Sequence, residues 1–335
     1  MNIPRQRVAM TIPGPTLTVA DSIELAKKLE AEGWDDIWMA DAGGLDAMTM
    51  APLLLAATEK MRLGIAVVPV FTRTPAVLAS TISVISQAFP ERFVPGFGSS
   101  SHAIINNWHG LEMEKPLTRI KETMQLLRTM LAGEKTNFAG DTLKSRGYQQ
   151  LPTPNQPIYL AGLRPKMVET AAEIGDGVIL NLFPKSALAK IHEHIAIGAE
   201  RAGKDPATIE VVSRHMIAVG EDKAMARDAF RRGFGPYYAT PVYNKFLAWC
   251  GYPEAAAEIA AGFKNRDRER TAAALSDELI DEIAIIGTPD ECRARVREYA
   301  DAGIHTHVMA PMINHPDIIE QTATTFSKQH FNLNQ

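Results

Sequence analysis

Apolar residues recur with two alternating periods along this chain of 335 residues. Short β-rich runs fall at residues 8–12, 36–41, 63–70, 93–97, 158–161, 178–182, 209–219 and 307–310. Between most of them the apolar positions move to spacings of three and four, which buries one face of a helix. The clearest helical stretches are 19–30, 76–88, 117–131, 166–174 and 187–201. Three helix-to-strand joints share one plan: "LEAEGWDDIWMAD", "AAEIGDGVILN" and "YADAGIHTHVMAP". In each a glycine ends the helix, where a left-handed residue is expected, and an apolar strand follows within a few residues. Eight strands alternating with helices predict parallel β/α units, and eight such units close into a (β/α)8 TIM barrel of the α/β class. An open doubly wound sheet is the competing architecture, but its Gly-x-Gly-x-x-Gly turn does not follow the first strand.

Two stretches break the alternation. Residues 133–155, "GEKTNFAGDTLKSRGYQQLPTPN", carry Gly, Pro and Asn and predict a hairpin or loop. Residues 233–282 are punctuated by Gly and Pro, then strongly helical, and lie between the seventh and eighth units. Insertions of this size in a barrel usually cover the active-site mouth. Residues 1–335 thus read as one barrel domain with insertions at its C-terminal face. Composition leaves that picture unchanged: 46% hydrophobic and 22% charged residues suit a globular protein with a large core. A net charge of −4 without a basic block disfavours nucleic acid and anionic membranes as partners. No apolar run approaches a membrane span, and the first thirty residues lack the order of a signal peptide. Cys250 and Cys292 are far apart and form neither a disulfide framework nor a metal knuckle. Together these features point to a cytoplasmic protein.

Function in such a barrel gathers at the C-terminal ends of the strands. That rule selects Asp41 after the second strand, residues 66–69 on the third, "GFGSSSH" (96–102) after the fourth, "AGLRPK" (161–166), Asn181 and "APMINH" (310–315). His305 and His307 make a metal-like His-x-His pair but begin the last strand, at the opposite end, so a structural role is expected. His192 and His194 are two apart on a helix, face different ways and are no zinc motif. Ser99, Ser100 and Ser101 are not a nucleophile elbow, since no Gly follows at the required spacing. A lone Gly-x-Gly more often marks a plain turn, and the hydroxyls and open backbone suit a polar cofactor tail better than acyl transfer. In "PIYLAGLRPKMVETAAEIGDGVILN" (157–181) a strand turns into a helix at Gly162 with Pro165 near the helix start. The corner fits an ordinary βα loop; with Arg164 and Lys166 beside free helix N–H groups it also fits a phosphate. "LGIAVVPVFTRTPAVLA" (63–79) by itself fits a simple buried barrel strand, though small Ala66 leaves room for a flat ring against it.

Taken together, these stretches resemble the bacterial luciferase-like superfamily of flavin- and deazaflavin-dependent oxidoreductases. The nearest likeness is to its F420-dependent branch, which includes methylenetetrahydromethanopterin reductases. The resemblance spans nearly the whole chain and rests on "EAEGWDDIWMAD", "RLGIAVVPVFTRTPAVLA", "ERFVPGFGSSS", "KPLTRIKETMQLLRTMLAGE" and above all residues 157–181. It implies a deazaflavin ring over the third strand, a cis peptide bond at Ala66–Val67, and Asp41 near the ring. Gly98, Ser99 and Ser100 match positions that contact the cofactor, while Gly162, Leu163, Arg164, Lys166 and Met167 fall at its phosphate-binding corner. It further implies a homodimer acting on a small molecule.

The departures bear on mechanism. Sugar-phosphate dehydrogenases of this branch have Asp-His after the second strand, where this chain has Asp41 and Ala42. They also carry an acid where Ser101 stands, and the luciferase histidine of the second βα loop is missing from "ADAGGLDAM". Asp41, His102, His109 and His315 therefore stand as candidate proton donors, and the substrate does not carry over with the fold. The expected activity is hydride transfer between coenzyme F420 and a small organic molecule. An FMN-dependent monooxygenase, needing a shielded pocket and a reductase partner, and a non-catalytic flavin-binding protein are the competing readings.

Overall fold

A strand surrounded by helices must divide its side chains between two cores, and alternate residues do this in the computed structural model of the chain. The structure describes residues 4–12, 17–220, 222–313 and 315–334. Its strands are β1 (Arg7–Thr11), β2 (Asp36–Met39), β3 (Arg62–Pro69), β4 (Phe93–Gly98), β5 (Asn137–Ala139), β6 (Lys144–Arg146), β7 (Tyr159–Ala161), β8 (Gly177–Asn181), β9 (Glu210–Val219), β10 (Ala284–Gly287) and β11 (Thr306–Pro311). Eight of them pair in parallel in the order β1, β2, β3, β4, β7, β8, β9, β11, and β11 returns to β1. This is the expected TIM barrel. Leu63, Ile65, Phe93, Leu160 and Val178 face outward into a core shared with the surrounding helices. Ala9, Trp38, Val94, Tyr159, Ile179, Val212 and Val308 fill the barrel itself. Gly64 is a matter of space, because a Cβ there would lie 2.3 Å from the Trp38 ring.

The floor of the barrel is charged. Arg62 donates to Asp36 and to Glu210, each at 2.6 Å, and Arg7 reaches Asp36 at 3.1 Å. Thr306 and Tyr159 each donate a hydroxyl to Glu210 at 2.5 Å. Each of these polar groups has a partner, so the layer can be buried without stranding a charge.

The two insertions have the expected character with altered bounds. β5 and β6 form an antiparallel hairpin. Glu122 anchors it by accepting the N–H groups of Asp141, Thr142 and Leu143 at 2.6–2.9 Å. The second insertion starts earlier than the expected residue 233, because a helix already runs over Lys223–Ala239 through Gly233, Gly235 and Pro236. Burial of Phe230 and Tyr238 outweighs the poor helix propensity of those residues. Helices Pro241–Trp249, Pro253–Lys264, Arg268–Ala273 and Asp277–Ile283 follow. They pack on Leu182, Met216 and Ala310, at the C-terminal ends of β8, β9 and β11. β10, which the periodicity did not indicate, pairs with β9 at 216–219, beyond the stretch that β8 occupies.

One glycine joint differs from expectation. Gly33 and Gly303 are left-handed, with φ of 83° and 94°, but Gly175 has φ −95° and ψ 172°. The chain there runs straight into β8, with Asp176 N–H on Ile158 O at 2.9 Å. Glycine is required instead by a close approach, since a Cβ would lie 2.6 Å from the Ala171 carbonyl oxygen.

Candidate cofactor site at the barrel mouth

Three strand ends converge at one side of the mouth. β3 and β4 run in register to Ile65 and Pro95, then resume at Val68 and Phe97, leaving one extra residue on β3. The Ala66–Val67 peptide bond within this bulge is cis, as expected. Ala66 and Val67 both pack toward the barrel interior, together with Ala161 at the end of β7. At Gly98 an added Cβ would stand 2.7 Å from Val67 Cγ2 and 3.5 Å from Ala161 Cβ. Thus the bulge, the end of β4 and the corner after β7 are contiguous. Ser99 and Ser100 continue from Gly98, and Ser100 is left-handed at φ 64°, which turns the chain outward over the mouth.

The corner has the form that anion binding needs. The helix Pro165–Ile174 begins at Arg164 with no side chain capping it. Met167 N–H and Val168 N–H both return to the Arg164 carbonyl, at 2.8 and 3.0 Å. Leu163, Arg164 and Lys166 N–H groups find no acceptor among the described residues. Gly162 permits the tight turn, because a Cβ would lie 2.8 Å from the Val168 Cα. Arg164 and Lys166 are exposed on the same corner, while Leu163 and Met167 lean on the outer core. Most other helices here start from a Ser, Thr or Asp that accepts a backbone N–H, as Thr18, Asp46, Thr74 and Ser276 do. Free N–H groups, the positive end of a helix and two cations favour a phosphate.

Asp41 is less free than the sequence suggests. Its carboxylate takes one arm of the Arg73 guanidinium, whose other arm goes to Asp46. Asp41 also accepts Ala47 N–H at 3.4 Å, and Asp46 caps the next helix by accepting Thr49 N–H at 2.7 Å. Burial opposes the charge on Arg73, but its bonds and charge pairing with Asp41 and Asp46 outweigh it and raise its pKa. The acid after the second strand is thus an ion-pair partner that fixes the loop following β3.

The candidate histidines are dispersed. His102 is exposed and pairs with Asn106 Oδ1 at 3.2 Å, ahead of a π-helical turn over Ala103–Trp108. His109 is exposed beyond that turn. His315 caps the helix Pro316–Phe326, its Nδ1 accepting Asp317 N–H at 3.3 Å. Neither His102 nor His315 contacts Asp41. Ser101 also has a local task, its Oγ accepting Ile104 N–H at 3.4 Å. His305 and His307 lie at the far end of the barrel, and no group of three potential metal ligands occurs among the described residues. Sequence reasoning missed Arg73 as a site residue, and Arg214, which projects into the barrel from β9.

Relationships to known proteins agree with this geometry. The sequence model of the luciferase-like monooxygenase family matches residues 4–306. The chain belongs to this family. Its luciferase-like sequence is 30% identical over 300 residues to a 5,10-methylenetetrahydromethanopterin reductase of Methanolobus tindarius, covering 88% of this chain and 90% of that protein. It is 25% identical over 311 residues to an F420-dependent glucose-6-phosphate dehydrogenase of Tsukamurella paurometabola, covering 84% and 85%. Among solved structures, the coenzyme F420-dependent tetrahydromethanopterin reductase of Methanopyrus kandleri superposes with a TM-score of 0.82 over 98% of this chain and all of that one. At 22% identity the last likeness concerns the fold. The two sequence relatives act on unlike substrates, so family membership leaves the substrate open.

Proposed function

We propose that this luciferase-like enzyme is an F420-dependent oxidoreductase, with the deazaflavin ring against Ala66 and Val67 and the phosphate on the corner at 162–167. One observation carries the reading: an uncapped helix N-terminus flanked by Arg164 and Lys166 stands next to the β3 bulge, through Ala161 and Gly98. The relatives named for F420 support it. F420, when bound, supplies a carbon that takes or gives a hydride. The protein's part is to hold that carbon and the substrate within reacting distance. Small Ala66 leaves the space for a flat ring, and Gly98 lets Val67 pack close beside it. The free N–H groups of Leu163, Arg164 and Lys166 orient the phosphate. The Arg73 bridge fixes the loop after β3 at one wall, and the helical insertion covers the other and limits water.

Titration with F420 and with FMN tests the reading, the family's monooxygenases making FMN the competing cofactor. F420 is expected to bind, and Arg164→Glu combined with Lys166→Glu to weaken it by about ten- to a hundredfold and to flatten its salt dependence. Both side chains are exposed, so the melting temperature should hold. A parent protein that binds FMN and ignores F420 sinks the assignment. A double variant that binds F420 as tightly as the parent moves the phosphate elsewhere.

A further inference from the structure

The floor and the mouth of the barrel treat arginine in opposite ways. Arg62 on the floor is matched by two carboxylates. Arg214 points inward near the mouth, and the groups acting on its charge are burial, which lowers its pKa, and the hydroxyls of Tyr243 and Tyr237. No carboxylate is among them. Its Nη1 reaches Met216 Sδ at 3.5 Å, and its Nε is buried with no partner among the described residues. The Thr11 hydroxyl, which can donate, is also buried with no partner among the described residues. Asn181 lies directly opposite Arg214 in the β8–β9 ladder. Arg214, Thr11 and Ala66 border a void of about 10 Å³, room for about one water molecule. An arginine keeps its charge in a protein, and half-buried Arg214 holds that charge partly out of water with no carboxylate acting on it. Such a group persists where something else requires it.

We propose that Arg214, with Thr11, forms a subsite for an anionic or strongly polarised oxygen that a ligand brings to the centre of the barrel mouth. The guanidinium fork suits a planar carboxylate or a conjugated carbonyl, and the Thr11 hydroxyl adds a further donor. Two ligands offer that chemistry: a substrate carboxylate, or a ring oxygen of the cofactor lying over Ala66. The second source rests on the proposed cofactor site, and the first needs only the mouth itself.

The test compares the parent with Arg214→Gln and Arg214→Lys, using coenzyme F420 by fluorescence titration and benzoate by calorimetry, the latter with and without F420. Arg214→Gln should melt no lower than the parent, since it removes a charge that has no partner. It should lose about ten- to a hundredfold in affinity for one probe, as expected for a lost bond to a charged group, and Arg214→Lys should retain part of it. Loss of F420 affinity assigns the subsite to the cofactor. Loss confined to benzoate assigns it to the substrate. Should the parent fail to bind F420, the proposed function falls, and benzoate binding to the cofactor-free protein still decides the subsite. Unchanged affinities in Arg214→Gln overturn the proposal, and so does a parent that binds neither probe.

Discussion

Arg62 shows what one residue contributes when both of its partners are buried. Asp36 and Glu210 are drawn from strands on different sides of the barrel, and the guanidinium between them bonds to both. Burial alone would raise the Glu210 pKa. The Arg62 charge, with hydrogen bonds from Arg62, Thr306 and Tyr159, outweighs burial and brings it down to about 2. A carboxylate depressed in the folded state contributes stability above its unfolded pKa, and that contribution is lost as pH falls toward the folded value. Arg62→Met leaves Glu210 without a cation and Asp36 with Arg7 alone, and is expected to destabilise the protein by about 3–5 kcal/mol. Urea unfolding at neutral pH would read this as a lower midpoint with an unchanged slope. An unfolding free energy within about 0.5 kcal/mol of the parent, the range of ordinary surface substitutions, would show that the floor does not depend on Arg62.

At the scale of elements, the helical insertion is fastened to the mouth by a few named contacts. Tyr238 is buried and donates its hydroxyl to the Leu182 carbonyl at 2.8 Å, just past β8. Tyr238→Phe keeps the ring and leaves that carbonyl unpaired, a cost of about 1–3 kcal/mol. Amide hydrogen exchange should quicken in the helices between residues 223 and 283 and remain unchanged in β1 to β4. A uniform change across the molecule would mean that insertion and barrel open as one unit. The position of these helices was legible in the sequence because their composition breaks the strand–helix rhythm. Their true start was not, because Gly233, Gly235 and Pro236 imitate a break that buried Phe230 and Tyr238 override. The barrel strands were legible from their apolar runs, whereas the four residues of β10 follow a helix directly and offer no turn to mark them. Ala66, Val67, Gly98 and the 162–167 corner could be found by resemblance and by small residues at strand ends. Arg73 and Arg214 could not. "VVSRHMIAV" is apolar on both faces, so only the closed barrel shows that Arg214 shares the inward side with Val212.

Across the whole molecule, protonation couples the barrel wall to the outer helices. His215 and His307 face outward from β9 and β11, with the His215 ring 4.6 Å from that of Tyr299. Gln6 donates its amide N–H to Ile304 O at 3.0 Å, so its Oε1 faces His307 Nε2, also at 3.0 Å. That makes His307 Nε2 the donor and its Nδ1 the acceptor of His215 Nε2–H at 3.1 Å. His215 Nδ1 then accepts from Ser213 Oγ at 3.4 Å. A second proton on His307 would set its Nδ1–H against His215 Nε2–H, whereas one on His215 Nδ1 would face the Ser213 hydroxyl, which can turn to accept it. Burial pushes the His215 pKa down to about 3, and burial together with His215 and His305 holds His307 well below 6.5. The unfolded chain therefore binds more protons than the folded one as pH falls below about 6.5, and stability declines by about 1.4 kcal/mol per pH unit for each such ring. The two rings titrate as a pair, so the slope belongs to both. His307→Gln keeps a donor and an acceptor but cannot take a proton. Between pH 6.5 and 5 its unfolding free energy, measured in urea, should fall about 1.4 kcal/mol per pH unit less steeply than that of the parent. Equal slopes would show that His307 carries the same proton in the folded and unfolded chains, and the neutral network would have to be abandoned.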